Sequence, residues 1–203
     1  GTAAEAPSEL NSRIQTRSAA RSGGIETSSL PASLPGTTST PGAQIVTGQV
    51  KLHDRLRHFD FLKKYVHVST PEVYGNCSGT ITDSAPFNPT TPYAASRAAC
   101  DLHLRTFFSH YKFPVVFTRA ANVYGPGQQL YRIIPRAILF IKLGRKLQLH
   151  GGGSSVRSFI HIGDAASATL KIAREAPAGE TYHISTGSHI SVRQLVEIIC
   201  NIM

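Results

Sequence analysis

The sequence predicts an α/β protein built on a parallel sheet, and three observations carry that prediction. From Lys51 onward, short β-branched runs alternate with helical stretches of roughly 10–15 residues, the pattern of strand–helix–strand units. Clusters of Gly, Pro, Asn and Asp separate the runs. Residues 1–50 lack this periodicity, and roughly two-thirds of them are Ala, Gly, Pro, Ser or Thr. Such a tract buries too little apolar surface to offset chain entropy, so residues 1–50 read as a disordered low-complexity segment. Residues 51–203 form the folded part, about 150 residues, enough for a modest core.

Taken in order, Asp54 to Lys64 reads as the end of a helix. Tyr65-Val66-His67-Val68-Ser69 is a β-rich run stopped by Pro71. Residues 76–92 form a loop containing Pro86, Pro89 and Pro92. Tyr93 to Tyr111 is helical, with Ala95, Ala99, Leu102 and Phe107 near helical spacing. Phe113 to Thr118 is a second buried strand, and Tyr124-Gly125-Pro126-Gly127 a turn. Ile133 to Leu143 is a helix ended by Gly144. Leu147 to His150 reads as a strand entering the Gly151-Gly152-Gly153 loop, and Phe159 to Ile162 as another. Asp164 is placed to cap a helix running to about Arg174. Tyr182 to Ser185 is a strand, and Val192 to Met203 a closing helix.

The net charge of +9 belongs to the folded part, since Arg13, Arg17 and Arg21 cancel Glu5, Glu9 and Glu26. Lys and Arg are scattered rather than gathered in a stripe, which argues against nucleic acid and suits a diphosphate ligand. Cys77, Cys100 and Cys200 form no Cys-x-x-Cys pair, and the nine His residues show no ligand spacing, so no metal site is expected. The cysteine usage points to a reducing, cytoplasmic setting. No apolar run approaches the ~20 residues that span a bilayer, and no membrane role is expected. The N-terminal tract has no hydrophobic signal-peptide region, and a start at Gly1 reads as a processed or cut product.

The chemistry concentrates in two segments. Tyr93 and Arg97 lie four apart, on one helix face. A neighbouring cation favours phenolate, which can take an alcohol proton while hydride leaves the same carbon. A Tyr-x-x-x-Arg by itself is more often a buried Tyr beside a solvated Arg. Thr70 and Glu72 supply a hydroxyl and a second base at a strand end.

Together the blocks Ser69-Thr70-Pro71-Glu72-Val73-Tyr74-Gly75-Asn76, Asn88 to Ala99, Arg119 to Gln128 and His150-Gly151-Gly152-Gly153 through Asp164 resemble the extended short-chain dehydrogenase/reductases. The resemblance is to their NAD-dependent epimerase/dehydratase group, and within it to the nucleotide-sugar 4,6-dehydratases. It covers nearly all of residues 51–203, with the blocks in family order. It implies the C-terminal portion of a Rossmann-like parallel sheet with a small α/β substrate-binding subdomain. It also implies NAD as cofactor, a nucleoside-diphosphate sugar as substrate, and a homodimer through the Tyr93–Tyr111 helix. The implied reaction moves hydride from C4 of the hexose to NAD+, removes the C5 proton, loses water from C6 and returns the hydride there.

By position, the resemblance makes Tyr93 the redox base and puts Arg97 where the family has the lysine of the nicotinamide ribose. It places Val123 beside the cofactor, Thr70 on the sugar and Glu72 as the C5 base. Asn122, Arg132, Leu149, His150, Arg157 and His183 fall where the family grips the nucleotide sugar, with Arg157 on the diphosphate, as a guanidinium fork suits phosphate oxygens. Asn122 equally satisfies a turn, Arg132 equally a solvated surface. The three glycines read first as a turn, His67 and His161 as core histidines, and Tyr74 as packing.

The pattern breaks at three places. Pro71 stands where the 4,6-dehydratases carry an Asp that protonates the departing hydroxyl, and losing a general acid costs ~10²–10⁴ in rate. The nucleoside-diphosphate-glucuronate decarboxylases do without that Asp, so a decarboxylase or epimerase stays open. Arg97 keeps the lysine's charge but not its shape. The Gly-rich dinucleotide loop that should open the fold is not found in residues 1–50. A non-catalytic nucleotide-sugar-binding chain or a defunct fragment is therefore the reading of another class.

Overall fold

A computed structural model describes residues 41–77 and 81–203. Its elements are α1 (Pro41–Leu56), β1 (Tyr65–Ser69), a 3-10 turn (Pro71–Tyr74), α2 (Pro92–Tyr111), β2 (Val115–Ala120), β3 (Asn122–Tyr124) and α3 (Ile133–Lys142). A second 3-10 turn (His150–Gly153), β4 (Val156–Arg157), β5 (Phe159–His161), α4 (Ile162–Glu175), β6 (Thr181–Ile184), β7 (Ile190–Ser191) and α5 (Val192–Ile202) follow.

The main sheet is three parallel strands in the order β1-β2-β6. Side chains alternate across it, as the two-residue strand period demands. Val115 and Phe117 face α2 and join Leu104, Phe107 and Phe113 in one apolar cluster. Val116 faces α4 and packs with Ile160, Ala165, Ile172 and Ile184 in another. Burying each such large side chain stabilises the fold by about 1.5–3 kcal/mol. A smaller layer stands beside the sheet: α3 and α5 close on Ala137, Leu195 and Ile199, next to the β3–β5 and β4–β7 pairs.

The helix ends follow from local chemistry. Thr91 accepts the Ala94 amide with Pro92 opening α2, and Lys112 ends that helix in the left-handed conformation. Ser191 and Gln194 form a reciprocal capping box on α5.

Four expectations need correction. Helix α1 starts at Pro41, inside the tract read as disordered, and it ends at Leu56 rather than near Lys64; residues 1–40 lie outside the described residues. The α1 face that meets α2 uses Gly42, whose added Cβ would sit 3.6 Å from Ser96 Cβ, and the fully buried His53. A hydrophobic pattern counts neither. Residues 147–149 form no strand, because no neighbouring strand pairs with them. His161, not Asp164, caps α4: its Nδ1 accepts the Gly163 amide at 3.2 Å, and Asp164 sits in the first turn. His161 is consequently exposed rather than a core histidine. Among the described residues no helix is long and apolar enough to cross a membrane, and the three cysteines are free.

Candidate active site

The end of β1 positions the first group. Thr70 leaves the strand in extended backbone, and its Oγ1 accepts the Glu72 amide at 3.3 Å. Pro71 then fits the first position of the 3-10 turn, where no amide donor is needed. This local cap aims Glu72 into a half-buried setting. Burial pushes the Glu72 carboxyl above its ordinary value, while the charges of Arg157 and then Arg132 pull it back down. Burial likewise lowers Arg157, and Glu72 opposes that shift. Glu72, Arg132 at the start of α3 and Arg157 on β4 thus form one charged group in the sense that their charges act on one another, with Thr70 beside Glu72 through its amide.

The second group rides on α2. Tyr93 lies in its first turn and is 37% exposed, open to a ligand. One turn on, Arg97 donates from Nη2 to the Val68 carbonyl, while its Nε has no partner. That bond ties the Tyr93-bearing helix to the strand two residues before Thr70, so the two groups share one end of the sheet.

The remaining candidates separate. Asn122 is exposed and its amide donates to the Ser158 carbonyl at 3.2 Å. Val123 is half-buried and packs against the cluster of Val116 and Ile160. Arg132 occupies the N-cap position of α3 without a side-chain capping bond, its guanidinium 5.5 Å from the Tyr131 ring. His150 is exposed and opens a 3-10 turn in which Gly151, Gly152 and Gly153 all have positive φ, and a Cβ added at Gly153 would lie 3.0 Å from the Leu149 side chain. The structure does not bring His183 into the charged group. It is 7% exposed and bonds Tyr74 Oη through Nε2 at 3.1 Å.

Behind both groups lies a buried polar network that the sequence reading did not single out. Asp101 accepts from His67 Nε2 at 2.9 Å, Ser69 Oγ at 2.9 Å and Arg119 Nη2 at 2.6 Å. Arg119 Nη1 donates to Tyr74 Oη at 2.9 Å. Burial raises the Asp101 carboxyl, yet the His67 bond and the Arg119 charge together hold it below its ordinary value. Burial first, then the Arg119 charge, pushes His183 down to about 4, so it stays neutral and can accept the Tyr74 hydroxyl proton. Tyr74 is more than packing. The available signal was Arg119 itself: a charge within the apolar run of β2 has to be paired.

This geometry can be set beside known proteins. The model of the NAD dependent epimerase/dehydratase family matches residues 35–185. A dTDP-D-glucose 4,6-dehydratase of Homo sapiens is 39% identical over 137 residues, covering 67% of this chain and 39% of that protein. The crystal structure of a dTDP-glucose 4,6-dehydratase from Bacillus anthracis, in complex with NAD, superposes with a TM-score of 0.73 at 33% identity, over 79% of this chain and 52% of that one. A UDP-N-acetylglucosamine 4-epimerase from Methanobrevibacter ruminantium gives 0.75 at 29% identity, over 85% of this chain and 57% of that one. This chain therefore spans between about two-fifths and three-fifths of the length of these three relatives. With the family model spanning β1, the Tyr93-bearing helix and the main sheet, the chain belongs to the NAD-dependent epimerase/dehydratase family.

Proposed function

We propose that residues 51–203, with α1 completing their packing, are the catalytic and nucleotide-sugar-binding portion of a nucleotide-sugar 4,6-dehydratase of the dTDP-glucose type. The observation that carries this reading is the half-buried Glu72 at the end of β1, under the charges of Arg157 and Arg132, on the strand end to which Arg97 ties the Tyr93-bearing helix. Two guanidiniums suit a sugar-nucleotide diphosphate, and a base poised next to them would reach the sugar. In this reading Thr70 bonds the sugar, Glu72 takes the C5 proton and Tyr93 takes the C4 hydroxyl proton. Asn122, Leu149 and His150 line the nucleotide side.

NAD is the cofactor this reading requires, supplying the hydride acceptor and donor when bound. Tyr93, Arg97 and Val123 fit the nicotinamide end. The described residues contain no Gly-x-x-Gly-x-x-Gly turn to anchor the pyrophosphate. Arg97, already engaged on Val68, would have to share its guanidinium with the ribose. The exposed Leu102 and Tyr111 on α2 support a homodimer through that helix. A cytoplasmic setting agrees with the free thiols.

One observation favours a second reading. Pro71 offers no proton to a leaving hydroxyl and is exposed, which suits a decarboxylase or epimerase of the same superfamily. Calorimetric titration with NAD+, dTDP-glucose and UDP-glucose, followed by an assay for a 4-keto product, tests all of this. Binding of both ligand classes with 4-keto-6-deoxy product supports the dehydratase. Sugar-nucleotide binding without NAD+ binding leaves a binding protein, and binding of neither sinks the proposal.

A further inference from the structure

We propose that Tyr74 is a positioning residue, one that holds the Glu72 carboxylate in place by tethering the Thr70–Tyr74 arm to the buried Arg119–Asp101 pair. The inference rests on the assignment of Glu72 as the base, and it adds the part of the fold that aims it.

The bonds around Glu72 are otherwise local. Its amide reaches Thr70 Oγ1, and its carbonyl accepts the Gly75 amide at 3.0 Å. The neighbouring backbone is held by the Asn88 amide on the Val73 carbonyl at 2.9 Å and by the burial of Val73 against Ala98. Those contacts fix where the arm lies without fixing its rotation. The Tyr74 hydroxyl does that, because it is held from two directions, by Arg119 at 2.9 Å and by His183 at 3.1 Å. Arg119 is in turn fixed on Asp101 at 2.6 Å, and Asp101 also takes His67 and Ser69 of β1. The chain of bonds joins β1, β2, β6, α2 and the arm, and it is buried from end to end except at Ser69. Glu72 and Tyr74 belong to the same four-residue 3-10 turn, so fixing Tyr74 restrains the backbone that carries Glu72. Only Arg119 Nε lacks a partner among the atoms of this network, and a buried network so nearly satisfied rigidifies what it holds.

The test uses the full chain with carboxyl-labelled Glu, following the Glu72 signal by NMR across pH, with Glu72→Gln to assign it. In the unaltered chain that signal titrates above the ordinary carboxylate range. Tyr74→Phe keeps the ring and removes the tether. The expected result is a Glu72 midpoint shifted down toward the ordinary range, as the freed carboxylate reaches water. Val73→Ala loosens the packing without touching the tether, and should lower the melting temperature with a smaller shift of that midpoint. An unchanged midpoint in Tyr74→Phe, or equal shifts in both variants, would overturn the proposal and leave Tyr74 a packing residue. No nucleotide sugar enters the measurement. A chain that binds none would sink the functional reading while the tether is still decided.

Discussion

Arg119 and Asp101, from β2 and α2, meet at 2.6 Å with neither side chain more than 1% exposed. Two charges at such depth are tolerated because each compensates the other's charge, and His67 and Ser69 supply further hydrogen bonds to the carboxylate. Removing one member strands the other. Arg119→Met is therefore expected to cost about 3–5 kcal/mol, read as a lowered urea midpoint at unchanged slope. Loss below about 1 kcal/mol would mean that Asp101 is satisfied without the guanidinium.

Stability should fall as the solution is acidified. His53 and His183 are held down to about 4 in the fold, mainly by burial, whereas an unfolded imidazole takes its proton near pH 6.5. Between those values the unfolded chain binds more protons, so stability is full above about pH 6.5 and is lost toward pH 4. Each histidine contributes at most about 1.4 kcal/mol per pH unit across that window. Asp101, held below its ordinary value, adds a further loss only at lower pH. Melting curves from pH 8 to 4 should show the decline, and His183→Asn should make it shallower. A flat profile over that range would contradict the burial of both rings.

Gly75 closes the arm that carries Glu72 and has φ 67° with ψ −147°, a region that side chains avoid. A Cβ there would also run into the Asn88 carbonyl oxygen. Gly75→Ala should cost about 1–3 kcal/mol from the backbone alone, and the clash adds to it. Because the same movement displaces Glu72, nucleotide-sugar affinity should fall with it. A variant as stable as the parent chain in thermal unfolding would show that the arm relaxes freely.

The sheet was legible because buried parallel strands announce themselves as β-branched runs: Tyr65–Ser69 matches β1 residue for residue. The Thr70–Tyr74 arm could be picked out as a candidate because its polar groups are contiguous in sequence. What escaped was whatever depends on distant residues meeting. Asp101 gains meaning only when β2 brings Arg119 beside it, eighteen positions on. Helix α1 escaped because its contact face is built on Gly42 and His53, small or polar residues that bury well only against α2. His183 was placed by position with the sugar contacts, yet the side-chain alternation of β6 turns it toward Tyr74.

The two kinds of candidate ligand should also separate by mutation. Arg157 is half-buried, and burial lowers its pKa while the charge of Glu72 opposes that shift. In the proposed reading its fork takes the diphosphate, and a charge-assisted hydrogen bond is worth about 1.5–3 kcal/mol. Arg157→Ala is expected to weaken dTDP-glucose binding by about 10- to 100-fold. Asn122 instead spends its amide on the Ser158 carbonyl and stands exposed, so Asn122→Ala should change affinity by less than about threefold, well under 1 kcal/mol. Arg157→Ala should also raise the Glu72 midpoint further, since it removes the strongest charge pulling that carboxyl down. Calorimetry on both variants reads the first effect and a pH titration the second. If Asn122→Ala proves the more damaging of the two, the ligand lies along β3 rather than against Glu72, and the assignment of the charged group to the diphosphate fails.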